Sequence, residues 1–468
     1  MPIHRSQGST ASEKHLLGRC ERSFLNYWSY ANLFRNDHGP KELVDVLVCC
    51  GPYLILFSDK SCEFSSGKSA DVGWPRWYKK AILTSKSQLL GAEKFINEHS
   101  NQIYLDSTLT SRLPLRIPPF DQRRTFLICV ANGAGKACKE FFGSTRGSLV
   151  MTNNPNEDAP FSVGDLNTGK RYVHVLDDNT LDLVLSEFDT INDFAMYLSE
   201  KETLMRAPGL KAFHGEEEAV AVYLRGFDEV EQRFKLDHAI ERAGIGSDYD
   251  MLHFEEGFWD AMQRHPQYVR RAHENRVSYL WDSLIHRFTD NMIQGTSVRH
   301  GDTPQEEHEG GIRYMALEPR THRRLLSKQL LDAIESFPEM NFAARTILPD
   351  RVPNGTNSCY VFLQLSRDST MNSDEYEEYR ARRRNLLYAY CLTVRLKFPD
   401  PDRVIGIATE PPRIFSGKIM SEDMLLIDRK TLFDEEVQEA REILERFKFL
   451  DPSKTTSGRT STKDFPDP

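Results

Sequence analysis

The run DVLVCCGPYLILFSDK, Asp45 to Lys60, carries charge only at its ends: Asp45 in front, Asp59 and Lys60 behind. Its apolar stretches VLVCC and YLILF are separated by Gly51-Pro52 and predict a buried β-hairpin. The charged tips are therefore the residues placed to do chemistry. Carboxylates are hard oxygen ligands that suit Mg²⁺ or Mn²⁺, and an ammonium beside them can orient water or offset developing negative charge. Strand ends suit such work, because the apolar runs fix them rigidly while the tips protrude. The plain alternative is an ordinary hairpin whose end charges are solvated.

Other elements must hold those tips. Glu13 to Phe34 reads as helix, with Phe24, Tyr27, Trp28 and Tyr30 clustered. Gly73 to His99 reads as a long amphipathic helix, with Ile82, Leu89, Ala92 and Ile96 on one face. RTFLICVAN, Arg124 to Asn132, is the continuously apolar strand of a sheet covered on both faces. Helix, hairpin, helix and strand together predict an α/β domain over 13–150, ending near the turn-rich stretch Asn153 to Lys170. Residues 170–350 read as a mixed, largely helical domain that opens on the strand YVHVLD. The α/β pattern restarts over 355–450 with the strands CYVFLQL, RVIGIATE and DMLLIDR, a long charged helix after the first, and a terminal helix. Residues 451–468 form a polar, flexible tail. The expected fold class is mixed α/β (α+β).

The front of the chain resembles the core of the PD-(D/E)XK nuclease superfamily, the restriction-endonuclease-like fold that includes the nuclease-related domains. In that family an acid starts one strand, and a second carboxylate and a lysine, one residue apart, end the next. An acid from the preceding helix often joins them. Asp45 matches the first acid and Lys60 the lysine; Glu21 matches the helical acid, with Glu42 as its rival. The helix bearing Ser85, Lys86 and Gln88 looks like the one that supports the site. The resemblance implies a restriction-endonuclease-like α/β core with Asp45, Asp59 and Glu21 holding Mg²⁺ or Mn²⁺, and Lys60, Glu42 and Gln88 completing the catalytic set. It further implies hydrolysis of DNA or RNA phosphodiesters, and makes a part in restriction or antiphage defence an expectation.

One position departs from the pattern. The family's second carboxylate falls two residues before the lysine, on the same strand face, and Ser58 stands there. Asp59 lies on the opposite face if the strand is regular. Three outcomes remain open: a bulge re-aims Asp59, the strand has already ended, or the site lacks a ligand. The last would make the protein an inactive nuclease-fold scaffold or a nucleic-acid-binding subunit of a larger complex.

Three further motifs invite chemistry. ANGAGKAC, Ala131 to Cys138, follows a strand, but a phosphate loop would need glycine at Val130 and a hydroxyl at Ala137; it reads as a tight turn into a helix. His300 and His308 with Glu306, Glu307 and Glu309 lack a zinc-ligand spacing and read as a solvated polar loop. The arginines of RTHRR (Arg320, Arg323, Arg324) and RARRR (Arg382, Arg383) are candidates for contact with a phosphate backbone. Part of the second cluster is expected to counter the acidic run DEYEEY ahead of it.

Composition limits the setting. A net charge of −9 opposes indiscriminate coating of nucleic acid while leaving room for a local basic groove. No apolar stretch approaches the roughly 20 residues of a membrane helix, and the amino terminus has no secretory core. Eight scattered cysteines without a CxxC pair read as reduced thiols of a cytoplasmic protein. Expected partners are nucleic acid and a protein partner or second copy, with no membrane.

Overall fold

Gly51, in the left-handed region at φ 57°, turns the opening run into the expected hairpin. The computed structural model describes residues 2–65, 69–154, 159–228, 231, 233–242, 251–295, 305–336, 341–349, 355–368, 370–411, 421–451, 453 and 457–458. The chain divides into two compact units, Met1–Arg271 with Ile285–Val298, and Ala272–Leu284 with Arg299–Pro466.

In the first unit, α1 (Ala11–Phe24) stops at Phe24 and not at Phe34. Leu25 takes φ 70°, which breaks the helix, and Asn26–Trp28 form a 3₁₀ turn. Tyr30 falls on β1 (Ser29–Asn36), since aromatic residues suit a pleated, packed surface. β1 pairs antiparallel with β2 (Pro40–Cys50), and β2 with β3 (Tyr53–Ser61). Positive φ at His38 and Gly39 closes the first of these turns. α2 (Ala70–Tyr78) continues through a π turn, Lys79–Leu83, into α3 (Thr84–His99). Then follow β4 (Ile103–Tyr104), β5 (Arg124–Asn132), α4 (Gly135–Phe142), β6 (Val150–Thr152), β7 (Ser162–Val163) and β8 (Val173–Asp177).

The main sheet has the order β4-β1-β2-β3-β5-β8. β3 is its pivot: antiparallel to β2 on one side, parallel to β5 on the other, with β5 parallel to β8. β8 carries the sheet past the boundary expected at 150. On one face Leu47, Leu54, Leu56 and Leu127 pack with Trp74, Ile82, Leu89 and Ile96 of the long helix. On the other, Phe57 meets Phe24 of α1 and Phe194, with ring centroids 6.5 and 6.4 Å apart.

The unit continues with α5 (Thr180–Glu187), α6 (Ile191–Arg206), β9 (Leu210–Phe213), α7 (Glu216–Arg225), β10 (Phe227–Asp228), β11 (Arg233–Phe234), α8 (Leu236–Arg242), β12 (Met251–Phe254) and α9 (Phe258–Arg264), while α10 (Pro266–Asn275) belongs to it as far as Arg271 and α11 (Tyr279–Gln294) from Ile285 onward. A second sheet of order β12-β9-β6-β7 lies among these helices.

The second unit holds α12 (Gln305–Ala316), α13 (Arg320–Ser336), β13 (Phe342–Ile347), β14 (Ser358–Leu365), α14 (Ser373–Lys397), β15 (Arg403–Thr409), β16 (Asp423–Ile427) and α15 (Asp434–Phe447). Its sheet runs β13-β14-β15-β16, with β14 and β15 parallel across the α14 crossover. β13 has no counterpart in the sequence reading: FAARTI is half-buried at every position and shows no alternation. Helix replaces the expected polar loop from Gln305 onward, and His300 lies outside the described residues. All eight cysteines are free and buried. Among the described residues no helix is long and apolar enough to cross a membrane. The fold class is mixed α/β, as expected.

α7 opens on three buried glutamates, a placement the helix dipole favours. Glu216 accepts from Tyr197 Oη at 2.5 Å and is paired with Lys201; Glu218 accepts from the amides of Gly257 and Trp259 at 3.2 and 3.0 Å. Glu217 accepts from Ser148 Oγ at 2.7 Å, while its Oε2 finds no partner on another described residue. Burial, followed by the charge of Asp177, pushes the Glu217 carboxyl up to about 8. A carboxyl raised in the folded state favours folding while protonated, and that contribution is lost as pH rises through its folded value. Glu217→Gln should therefore be more stable than wild type at pH 9, by on the order of 4 kcal/mol, and indistinguishable from it below the ordinary glutamate range. Urea unfolding at several pH values measures the gap.

Candidate functional site

The alternation of β3 holds to its tip. Ser58, Asp59, Lys60 and Ser61 stand in unbroken parallel register with Cys129, Val130, Ala131 and Asn132 of β5. No bulge re-aims Asp59, and the strand has not ended before it. Ser58 and Lys60 therefore share the face of Leu54 and Leu56, toward α3, while Asp59 lies with Phe57 on the opposite face. There its carboxylate accepts from Asn132 Nδ2 at 2.9 Å, and the same nitrogen lies 3.3 Å from Ser12 Oγ. Burial raises the Asp59 pKa; contact with Ser12 opposes this and the charge of Asp45 adds to it.

Asp45 is the hub of the other face. It is only 4% exposed. Its Oδ2 accepts from the Asp59 amide at 2.6 Å and lies 3.5 Å from Lys60 Nζ, and its Oδ1 accepts from Gln88 Nε2 at 3.4 Å. Gln88 is held in turn by Ser58, whose Oγ donates to Gln88 Oε1 at 3.0 Å and lies 3.2 Å from Ser85 Oγ. The structure thus brings Asp45, Lys60 and Gln88 together.

Glu42 reaches the same neighbourhood by a local irregularity. It stands three positions before Asp45, which in a regular strand would put the two on opposite faces. The register steps from Leu33↔Val44 to Phe34↔Glu42, leaving Leu43 as an extra residue on β2. This bulge brings Glu42 round to the side of Asp45. Burial first, and then the charge of Asp45, raise the Glu42 pKa.

The acid that α1 contributes is Glu13, not Glu21. Thr10 caps α1, and Glu13 closes a capping box with it. Glu13 accepts from the Ser9 amide and from Asn32 Nδ2, both at 2.8 Å, and Asn32 Nδ2 also lies 3.5 Å from Glu42 Oε1. Burial would raise the Glu13 pKa, but these hydrogen bonds win and hold it below the usual value. Glu21 lies eight residues further along α1, about 12 Å of helical rise, and pairs with Arg5 at 3.5 Å. The signal was present in the sequence: Thr10-Ala11-Ser12-Glu13 is a capping-box pattern.

Asp45, Asp59 and Glu21 thus do not share one point. Among the described residues no three His, Cys, Asp or Glu side chains are grouped so as to hold a metal ion. An all-protein cage is not what Mg²⁺ usually requires, however. It keeps several waters and takes one or two carboxylates together with substrate phosphate oxygens. Asp45, with Glu42 within its field, fits that smaller demand.

The ANGAGKAC turn forms as expected, and its amides are already used. Gly133 N lies 2.9 Å from both oxygens of Asp178, and Gly135 N lies 3.2 Å from Asp178 Oδ2. A carboxylate of the chain itself takes the place a phosphate would need. Gly133, at φ 103°, is also obligatory, because a Cβ there would lie 2.3 Å from the Cys62 carbonyl oxygen.

The arginine clusters differ from expectation. Arg320 and Arg323 place their Nη1 atoms 2.8 and 2.6 Å from the two oxygens of Asp282, and Arg324 donates to Asn275 Oδ1 at 3.2 Å. Arg383 donates to Asp423 at 2.7 Å and to Ser421 at 2.8 Å. All four arginines are buried, so they serve the interior of the second unit and present no phosphate-binding face. Arg382 alone of the five is exposed. The charge that counters RARRR is chiefly Asp423, with Glu377 a longer contact at 3.9 Å from Arg380.

Arg323→Ala, which strands Asp282 beside a single arginine, should cost about 3–5 kcal/mol of unfolding free energy. Arg382→Ala should stay within about 0.5 kcal/mol of wild type. Denaturant melts of the two variants check both values.

No family model matches the chain, and no curated protein and no solved structure matches it.

Proposed function

We propose that the chain is a metal-dependent nuclease that hydrolyses phosphodiester bonds of DNA or RNA, built on a PD-(D/E)XK, restriction-endonuclease-like core in the first unit. The observation that carries this reading is the meeting of Asp45, Lys60 and Gln88 on one side of the β2–β3 tip. Two further features support it. The order of helix, three antiparallel strands, helix and parallel strand suits such a core, and the tip is the carboxyl end of β3, which lies between antiparallel β2 and parallel β5. Sites in open α/β sheets favour the carboxyl ends of strands.

Asp45 and Glu42 are the residues to hold Mg²⁺ or Mn²⁺. The ion, when bound, supplies an activated water and offsets charge on the phosphate. Lys60 reaches solvent with a quarter of its side chain while keeping its contact with Asp45. That suits an ammonium that turns toward a non-bridging phosphate oxygen as charge builds there. Glu42, brought to the side of Asp45 by the Leu43 bulge, supplies the second carboxylate for the ion. Gln88 fixes the rotation of the Asp45 carboxylate. Nucleic acid is the partner this reading requires. A cytoplasmic setting suits eight buried free thiols, and a part in restriction or antiphage defence is compatible with such an enzyme.

Ser58, in the usual carboxylate position, and the lack of a three-acid group among the described residues favour a second reading. In it the fold is a non-catalytic scaffold that binds nucleic acid or a protein partner. Cleavage assays on single- and double-stranded DNA and RNA with Mg²⁺ or Mn²⁺ separate the two. Asp45→Ala and Lys60→Ala should each lower the rate by roughly a hundredfold or more, and cleavage indifferent to both would remove the nuclease reading. The scaffold reading predicts no cleavage by wild type and no divalent-ion binding that depends on Asp45.

A further inference from the structure

We infer that Ser58 is a positioning residue for Asp45, acting through Gln88, and not the remnant of a lost metal ligand. The inference rests on the nuclease reading of the site.

A carboxamide has one accepting and one donating end, and the end that faces a neighbour is set by what holds the other. The Ser58 hydroxyl donates to Gln88 Oε1 at 3.0 Å, so Gln88 Nε2 is turned toward Asp45 Oδ1 at 3.4 Å. With the amide reversed, its oxygen would face the carboxylate, acceptor against acceptor. Ser58 and Ser85 are fully buried and Asp45 nearly so, with Gln88 half-buried between them, and in such surroundings the reversed amide carries an added cost that favours one direction of the relay. The two oxygens of Asp45 are then oriented by separate devices. Oδ1 is held by the relay from Ser58, and Oδ2 by the Asp59 amide with Lys60 beyond it.

The same geometry explains why an acid at position 58 would be unfavourable here. A carboxylate there would take Gln88 Nε2 for itself and turn the amide away from Asp45. It would also add a further negative charge beside Asp45 and Glu42. The Leu43 bulge delivers the second acid from β2 instead, and position 58 is left to set the direction of Gln88.

The test is Mn²⁺ binding by calorimetry on the full chain, with unfolding midpoints recorded for every variant. Ser58→Ala should weaken Mn²⁺ binding about tenfold, the scale on which outer-shell partners act. In a Gln88→Leu background the same substitution should change nothing further, because the relay is already cut. Ser58→Asp should weaken binding as well. Tighter Mn²⁺ binding by Ser58→Asp would overturn the inference, as would an equal loss from Ser58→Ala with and without Gln88. If Ser58→Asp does not fold, the comparison of Ser58→Ala in the two backgrounds decides alone. Loss of binding in Asp45→Ala with none in Ser58→Ala rejects the relay and leaves the nuclease reading standing. Binding unchanged by Asp45→Ala rejects both.

Discussion

The hydrogen bond from the Asp59 amide to the Asp45 carboxylate, 2.6 Å long and buried, is the contact on which the candidate site depends. The β2–β3 ladder reaches Val46↔Phe57 and goes no further, while β3 continues beside β5 to Ser61. A buried amide on the abandoned side of β3 would cost about 1–3 kcal/mol if left without an acceptor. Asp45 supplies the acceptor with its side chain in place of backbone. One carboxylate thereby ends a ladder, receives Lys60 and Gln88, and stays at the junction between the antiparallel and parallel halves of the sheet. Its position follows from the need to satisfy backbone there, which makes the tip rigid.

The groups around Asp45 arrive by departures from regular structure. Glu42 comes round through the Leu43 bulge. Asn32, opposite Asp45 by register, takes φ 48° and extends its amide to both Glu13 and Glu42. Glu13 serves first as a helix cap and is held in the site because the cap and Asn32 fix it together. Such irregularities are costly unless the surroundings over-determine them. Here the surroundings are the buried faces of β1, β2 and α1, with Leu33, Val44 and Leu17 almost fully enclosed.

Much of this was legible in the sequence, and the failures have physical reasons. Long apolar runs with a clear period gave the hairpin, β5, β8 and the face of α3, because burial alone specifies them. β1 was hidden in an apparent helix: Tyr27, Trp28 and Tyr30 mimic a helical face, and only the left-handed Leu25 ends the helix. β13 carries no alternation to read. The hub residues Asp45, Lys60 and Gln88 were visible because strand tips and helix faces follow fixed periods. Glu13 was missed because its capping pattern reads as structure, and Glu21 was preferred although two turns of helix separate it from the site. The arginine clusters misled for a different reason. Local sequence shows charge, whereas Asp282 and Asp423, which neutralise it, lie some 40 residues away along the chain.

That last point bears on how a polyanion could approach the site. With Arg320, Arg323, Arg324 and Arg383 committed inside the second unit, they cannot guide a phosphate backbone toward Asp45. Around the β2–β3 tip, Glu13, Glu42, Asp45 and Asp59 act on one another electrostatically, with Lys60 the cation among them. Such a cluster of acids repels a phosphate backbone at short range, where unit charges a few ångströms apart interact by about 1–4 kcal/mol near a protein surface. If the site cleaves phosphodiesters, a divalent ion must therefore do two things there. It must supply the chemistry, and it must first reverse the sign of the local field so that the substrate can be seated at all. Metal and nucleic acid would then bind cooperatively, the carboxylates holding the ion and the ion admitting the phosphate.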